Sequence, residues 1–481
     1  MKMRWKKTAG ILLLTLLAIL TVSCGAPDDG EEDKSSGSGK GGKTKEYGSF
    51  AEVHDAFQTK LTRQDSDDDE IPAPPEGVFD LVKYPSKVGD LAAYVSCDPG
   101  DGEKHPLIIW IVGGWGNGID DFPWVYPEWD NDQTGSAFYR AGILTMYPSF
   151  RGANGNPGHY ETLFGEVDDI ISAYEYAASL PYVDPDRIYL GGHSTGGTRA
   201  LLAAEYTDKF RAVFGFGAVD EIKYHNQSQF TFDTDDDEEY YVRSPIHWLD
   251  DVKTPTFLIE GSGGNSANLR NIKKATKNDN IHCYVIKDAD HFSVLAPITP
   301  LIAQKILEDT GEESNVSITL EELEAAMEQE RPVPMPVMTE RTLEELGYVV
   351  SCPYTWDVHI GGGDVVEAEA YSHYDGDNAW DISSLYFSSY TVAAEDGDLQ
   401  DLIELLRAEG YNVVETPIGG LPALDSDCIV QDDDGNEYYE RYVVVQNGDT
   451  YTSFDFYAPV YFADEAAPLF QAIVESIRPI R

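Results

Sequence analysis

Basic residues are scarce in this chain. Only 34 of 481 residues are Lys or Arg, against 85 Asp or Glu, and the formal net charge is −51. A surface of that sign repels phosphate, so nucleic acid is excluded as a partner. Cysteine is scarce too, at five residues, with no C-x-x-C pair and no Cys/His cluster. That spacing argues against a zinc site, and no metal or organic cofactor is expected. Long apolar runs are missing apart from one near the start, Ile11 to Leu20, which is too short for a membrane span. No internal repeat is present. What remains is a composition with 42% hydrophobic and 12% aromatic residues, enough for a sizeable core and for two or three domains.

The one apolar run follows Lys2, Arg4, Lys6 and Lys7 and precedes Thr21-Val-Ser-Cys24-Gly25. A basic region, a short apolar stretch and small residues form an export signal. The segment resembles the lipobox of bacterial lipoproteins, with Thr21 where that pattern usually has Leu. The resemblance implies a signal over residues 1–23 and lipid attached to Cys24, which holds the protein to the membrane on its extracytoplasmic side. Residues 24–48, rich in Gly, Ser, Asp and Lys, read as a tether that cannot bury a core.

Beyond the tether, residues 46–65 read as a helix N-capped by Ser49. Leu107-Ile-Ile-Trp-Ile-Val112 is continuously apolar, as in a strand buried on both faces. Strands alternate with helices from about residue 77 to residue 309, which predicts an α/β fold with a mostly parallel sheet covered on both sides. This domain is placed at 49–330. A linker at 331–347 contains Arg331-Pro-Val-Pro-Met-Pro336. Residues 348–481 alternate like antiparallel strands with flanking helices, an α+β domain. Cys352 and Cys428 fall in it and could form a disulfide. Cys97 and Cys283 read as buried thiols. The acidic run Asp233–Glu239 lacks the glycine turn and distal Glu of a calcium loop and reads as solvated loop; Asp432–Asn436 reads as a hairpin turn.

Gly192-His-Ser194-Thr-Gly196 has the G-x-S-x-G pattern, follows the strand Arg187–Leu190 and opens a helix at Thr198. In that context the serine sits on a sharp turn with its hydroxyl above the sheet. The Thr195 amide at the helix start is a candidate oxyanion donor. A nucleophilic serine needs a base, and His291 lies just past a predicted strand, downstream of the serine. His193 is expected to pack rather than react. Gly113-Gly114-Trp115-Gly116 follows the buried strand, so an amide of Gly114 or Trp115 is the second candidate oxyanion donor. Trp124, in an aromatic-rich segment running to Trp129, is a candidate for the substrate pocket or for a satellite core. Arg151 is a candidate for a substrate carboxylate or for pairing with Asp168 or Asp169.

Residues 76–310 resemble the catalytic domain of prolyl-oligopeptidase-type serine hydrolases in the α/β-hydrolase superfamily. The segments that carry this are Phe150-Arg-Gly152, Gly165-Glu-Val-Asp-Asp-Ile170, Val183 to Gly197, Ser244-Pro-Ile246 and Asp290-His-Phe292, in that order. The resemblance implies Ser194 as nucleophile and His291 as base; no run of strands corresponding to a propeller precedes Glu76. Family members usually carry an Asp in the loop after the strand Thr256–Gly261, where this chain has Ser262-Gly-Gly-Asn265. Glu260 is the first candidate for the acid, Asp220 the second, and Asn265 a neutral alternative. Residues 348–481 loosely resemble the PsbP-like α-β-α sandwich of many bacterial lipoproteins, which implies an accessory or protein-binding domain.

These readings converge on an exported, membrane-anchored serine hydrolase that acts on a small peptide or ester through an acyl-enzyme, with a peptidase favoured. A binding lipoprotein with a degenerate hydrolase fold is the alternative, motivated by the missing loop Asp.

Overall fold

The computed structural model describes residues 48–124, 131–225, 227–329, 337–344, 346–354, 356–361, 366–372, 384–391, 399–431, 437–448, 450–460 and 463–480. The signal segment with Cys24, Tyr126 and Trp129, residues 331–336 and the Asp432–Asn436 turn lie outside the described residues.

The first sheet has eight strands: β1 Phe79–Ser86, β2 Gly89–Ser96, β3 His105–Ile111, β4 Leu144–Pro148, β5 Val183–His193, β6 Val213–Phe216, β7 Thr256–Gly261 and β8 Ile281–Ile286. Their order is β1-β2-β4-β3-β5-β6-β7-β8. β1 and β2 pair antiparallel and β2 meets β4 antiparallel; every later neighbour is parallel. The helices in this part of the chain are α1 Phe50–Ala56, α2 Ser136–Arg140, α3 Gly165–Ser179, α4 Thr195–Tyr206, α5 Asp237–Tyr241, α6 Ser266–Ala275, α7 Leu295–Glu308 and α8 Leu320–Glu328. The mostly parallel sheet is the one expected from the strand–helix alternation, and the arrangement is the α/β-hydrolase one that the family resemblance implies.

The continuous apolar run in β3 explains why both faces must be covered. Leu107, Ile109 and Ile111 pack into the core shared with α3, α4 and α6, while Ile108 and Trp110 pack into the core shared with α7 and α8. Each such buried side chain contributes about 1.5–3 kcal/mol relative to exposure, so the sheet stays in place only while both layers cover it.

Two local expectations are corrected. The helix expected over 46–65 is only α1, seven residues long, held by a capping box between Ser49 and Glu52. After Phe57 the chain is extended and bonds to the body instead: Thr59 and Lys60 donate to Glu239, and the Thr62 amide donates to Thr231. The acidic run is not wholly solvated either. Asp236 caps α5, and Glu239 is buried, accepting from Arg243 Nη1 at 2.5 Å and Thr59 Oγ1 at 2.8 Å.

The C-terminal part holds β9 Met338–Leu343, β10 Tyr348–Pro353, β11 Trp356–Gly361, β12 Val366–Ser372, β13 Ser384–Thr391, α9 Leu399–Ala408, β14 Asn412–Glu415, β15 Ala423–Gln431, β16 Glu437–Asn447, β17 Thr450–Pro459, α10 Ala463–Ser476 and β18 Arg478–Pro479. Seven strands form an antiparallel sheet, β11-β12-β13-β17-β16-β15-β14, beside a three-stranded one, β18-β10-β9. Leu469, Phe470 and Ile473 of α10 fill a separate core with Tyr348, Phe454 and Phe456. Cys352 and Cys428 do not pair: both are free thiols, one on β10 and one on β15, in different sheets.

Candidate active site

Ser194 stands between the end of β5 and the start of α4 with φ 56° and ψ −117°. A non-glycine residue holds such a backbone only when its surroundings force it, at a cost of about 1–3 kcal/mol. Here the Ser194 amide donates to the Phe216 carbonyl at 2.8 Å, and its own carbonyl accepts from the Thr198 amide at 3.0 Å and the Thr198 hydroxyl at 3.1 Å. Gly192 makes the turn possible. A Cβ there would lie 2.6 Å from the Gly196 carbonyl carbon and 2.8 Å from the Ile111 oxygen, distances no side chain tolerates.

His291 follows β8. Its Nδ1 lies 3.1 Å from Glu260 Oε1 and 3.4 Å from Oε2. Carboxylate oxygens accept, so Nδ1 carries the proton and Nε2 is left as the basic nitrogen. Glu260, the last residue but one of β7, is 1% exposed, and its Oε1 also accepts the Asn265 amide at 2.6 Å. The other two acid candidates do not reach the ring. Asp220 accepts from the Glu221 amide and from Asn271 Nδ2, each at 2.7 Å. Asn265 Nδ2 donates to the Gly217 carbonyl at 3.3 Å. Gly217, with φ 63°, lies against the His291 ring so closely that a Cβ would collide with it. Among the described residues no hydrogen bond joins the Ser194 hydroxyl to His291.

His193 is buried, and its Nε2 donates to the His291 carbonyl at 3.0 Å, with the two rings 4.5 Å apart. Burial, and then the nearby His291 charge, push its pKa down to about 3, so the ring is neutral. It packs, as expected, but against the candidate base itself.

The oxyanion candidates also meet. The Thr195 hydroxyl donates to the Gly114 carbonyl, tying the start of α4 to the loop after β3. Sequence reasoning missed Arg199, on the next turn of α4. It is buried, donates to the Gly116 carbonyl at 3.3 and 3.4 Å and to Asn117 Oδ1 at 2.7 Å, while Asn117 Nδ2 donates to the buried Glu166 at 2.9 Å. A charge immediately before the apolar run Ala200–Ala204 was the available signal. Trp115 lines a cleft together with Ser194, Leu163, Val219, His225 and Asn265.

Two candidates lie elsewhere. Trp124 is 2% exposed and packs edge-on to Tyr94 with centroids 4.8 Å apart, in the core shared with α7 and α8 rather than a satellite core, and is not among the residues lining the cleft. Arg151 is buried too. It grips Asp169 through Nε and Nη2 at 3.0 and 2.9 Å and Glu161 through Nη1 at 2.6 Å, leaving no fork for a substrate carboxylate.

Residues 133–293 match the model of the prolyl oligopeptidase family, a span that contains Ser194, Glu260 and His291. An uncharacterized peptidase of Bacillus subtilis, YtmA, is 25% identical over 142 residues, 26% of this chain and 53% of the relative. The match thus spans about half the length of that curated relative. Among solved structures, a puromycin-hydrolyzing peptidase of Mycobacterium tuberculosis aligns with 20% identity and TM-score 0.40, covering 48% of this chain and 39% of that one. The Pyrococcus horikoshii acylaminoacyl peptidase aligns with 18% identity and TM-score 0.41 over 51% and 44%. The Pyrococcus furiosus esterase Pf2001 aligns with 15% identity and TM-score 0.40 over 51% and 97%. The family match, set beside the fold, supports a serine hydrolase.

Proposed function

We propose that the chain is a serine hydrolase working through Ser194, His291 and Glu260. Ser194 Oγ attacks a substrate carbonyl while His291 Nε2 takes its proton. Glu260 fixes the ring through Nδ1 and stabilises the imidazolium that forms. The amides of Thr195 and of Gly114 or Trp115 receive the oxyanion. His291 then protonates the leaving group, and water releases the acyl group by the same steps in reverse. The observation that carries this is the buried Glu260 carboxylate 3.1 Å from His291 Nδ1, behind a serine in strained backbone. The hydrogen bond from Oγ to Nε2 forms as substrate binds, since such bonds often tighten only in the substrate complex.

Peptides are the favoured substrates and short esters the second choice, because both use this apparatus and the matched family and the named relative are peptidases. The lipobox-like Cys24 supports export and anchoring of the enzyme by lipid, with the hydrolase domain outside the cytoplasm and 348–481 as an accessory domain. The test is turnover of aminoacyl amides against short acyl esters by the chain and by its Ser194→Ala variant. Hydrolysis that survives the substitution would refute the proposed nucleophile.

A further inference from the structure

The last turn of α1 brings His54 and Asp55 against Asp168 in the first turn of α3, 113 positions along the chain. His54 is 3% exposed, and its ring is wedged against Phe164, Phe50 and Tyr206. Nε2 lies 3.1 Å from the Phe164 carbonyl, which only accepts, so the proton is on Nε2. Nδ1 is left as a buried lone pair with no hydrogen-bond partner. What it faces is two more acceptors, Asp168 Oδ1 at 3.8 Å and Asp55 Oδ1 at 3.9 Å. An orphaned lone pair opposite two carboxylates calls for a cation between them.

We propose that His54 Nδ1, Asp55 Oδ1 and Asp168 Oδ1 bind Zn²⁺, or a divalent transition metal of similar softness, and so pin α1 to α3. Among the described residues these three offer the one group of donors mutually close enough for an ion. One imidazole with two carboxylates suits zinc rather than calcium or magnesium, which favour all-oxygen shells. Donors held about 2.0–2.2 Å from a tetrahedral zinc are spaced roughly 3.4 Å apart; the two spacings to Nδ1 are 3.8 and 3.9 Å, and all three donor atoms lie within 4.8 Å of one another, so the ligands draw in around the ion. The surroundings have the form such ligands require. His54 already donates its other ring N–H to a backbone carbonyl, and the Tyr206 hydroxyl donates to Asp55 Oδ1 at 2.9 Å.

Lys87 is the competitor. Its Nζ lies 2.8 Å from Asp168 Oδ1 and 3.7 Å from Asp55 Oδ1, but its side chain is 58% exposed and free to swing outward. Arg151 Nη2 also lies 3.8 Å from Asp168 Oδ2, but its guanidinium is bound to Asp169 and Glu161 rather than to the Oδ1 atoms that face His54. The site lies outside the proposed triad and does not depend on that reading.

The experiment is Zn²⁺ titration of the metal-stripped chain by calorimetry, with Co²⁺ as an optical probe. A saturable one-to-one step, a melting temperature that rises with Zn²⁺ concentration and visible Co²⁺ absorption of low-symmetry nitrogen–oxygen ligation are expected. His54→Gln and the exposed, fold-neutral Asp55→Asn should abolish the step. Tyr206→Phe should weaken it by about 10–100-fold, and Lys87→Met should tighten it. Because an acidic surface collects cations diffusely, Zn²⁺ binding that is unchanged in His54→Gln and Asp55→Asn overturns the proposal, as does the absence of a saturable step.

Discussion

At the scale of the residue, the acid is the departure that matters. Where the family resemblance implies a loop Asp, this chain reaches the histidine from the end of β7 with the longer Glu260, and Ser262-Gly-Gly264 folds over it. A Cβ on Gly264 would strike Glu260 Oε1. The sequence put Glu260 first among three candidates because a strand end points at the same corner, but it could not decide among them. The choice depends on where Asn271 captures Asp220 and where Asn265 turns its side chain, both set by α6. Glu260→Gln should therefore lower kcat by about 10³–10⁴-fold, with Asp220→Asn close to wild type; steady-state rates on one substrate compare them. His193 yields a prediction about pH. Its folded pKa of about 3 lies below the ordinary 6.5, so the unfolded chain binds the extra proton between those values. The stability it contributes is present above pH 6.5 and is lost as pH falls toward 3, by about 1.4 kcal/mol per unit at most. Urea melts from pH 7 to pH 4 should show a shallower loss in His193→Asn than in wild type. Equal slopes would remove His193 from the account.

At the scale of the element, periodicity served the buried strands and α3 and α4 well, because each must bury apolar residues at a fixed spacing. It served poorly where polar pairs govern. The chain after α1 is extended because Thr59 and Lys60 satisfy the buried Glu239, and α5 forms out of an acid run because Arg243 supplies the counter-charge. The first partnership spans some 180 positions and leaves no local pattern; the second is an i,i+4 pair that the reading of the run as solvated loop passed over. Arg199 is the same case inside α4: one buried guanidinium holds the 113–117 loop and faces Glu166. Arg199→Met should remove the donor that holds the Gly116 carbonyl and Asn117 and one of the two cations, with Arg151, that act on the buried Glu166, costing about 1–3 kcal/mol and, in the folded fraction, lowering kcat more than it raises KM as the 113–117 loop loosens. Thermal melts and Michaelis parameters check the two effects separately.

At the scale of the molecule, a mostly parallel sheet and two antiparallel ones lie along one chain, and the change from alternating strand–helix units to antiparallel strands was legible as a change of period after the Arg331–Pro336 segment. How the two parts touch was not. Tyr354 reaches from the C-terminal part to the Ala73 carbonyl at 2.9 Å and packs on Trp124, so Trp124, one of the aromatics suspected of lining a pocket, belongs to that contact. Nor could any spacing rule find the cluster of His54, Asp55 and Asp168, whose members only the packing of α1 on α3 brings together. The account stands on a reactive Ser194, and the direct measurement is mass-spectrometric mapping of the adduct left by a fluorophosphonate probe. We predict a single adduct on Ser194, lost in His291→Ala although that variant remains folded. No adduct on Ser194, or one that forms as fast without His291, would contradict it.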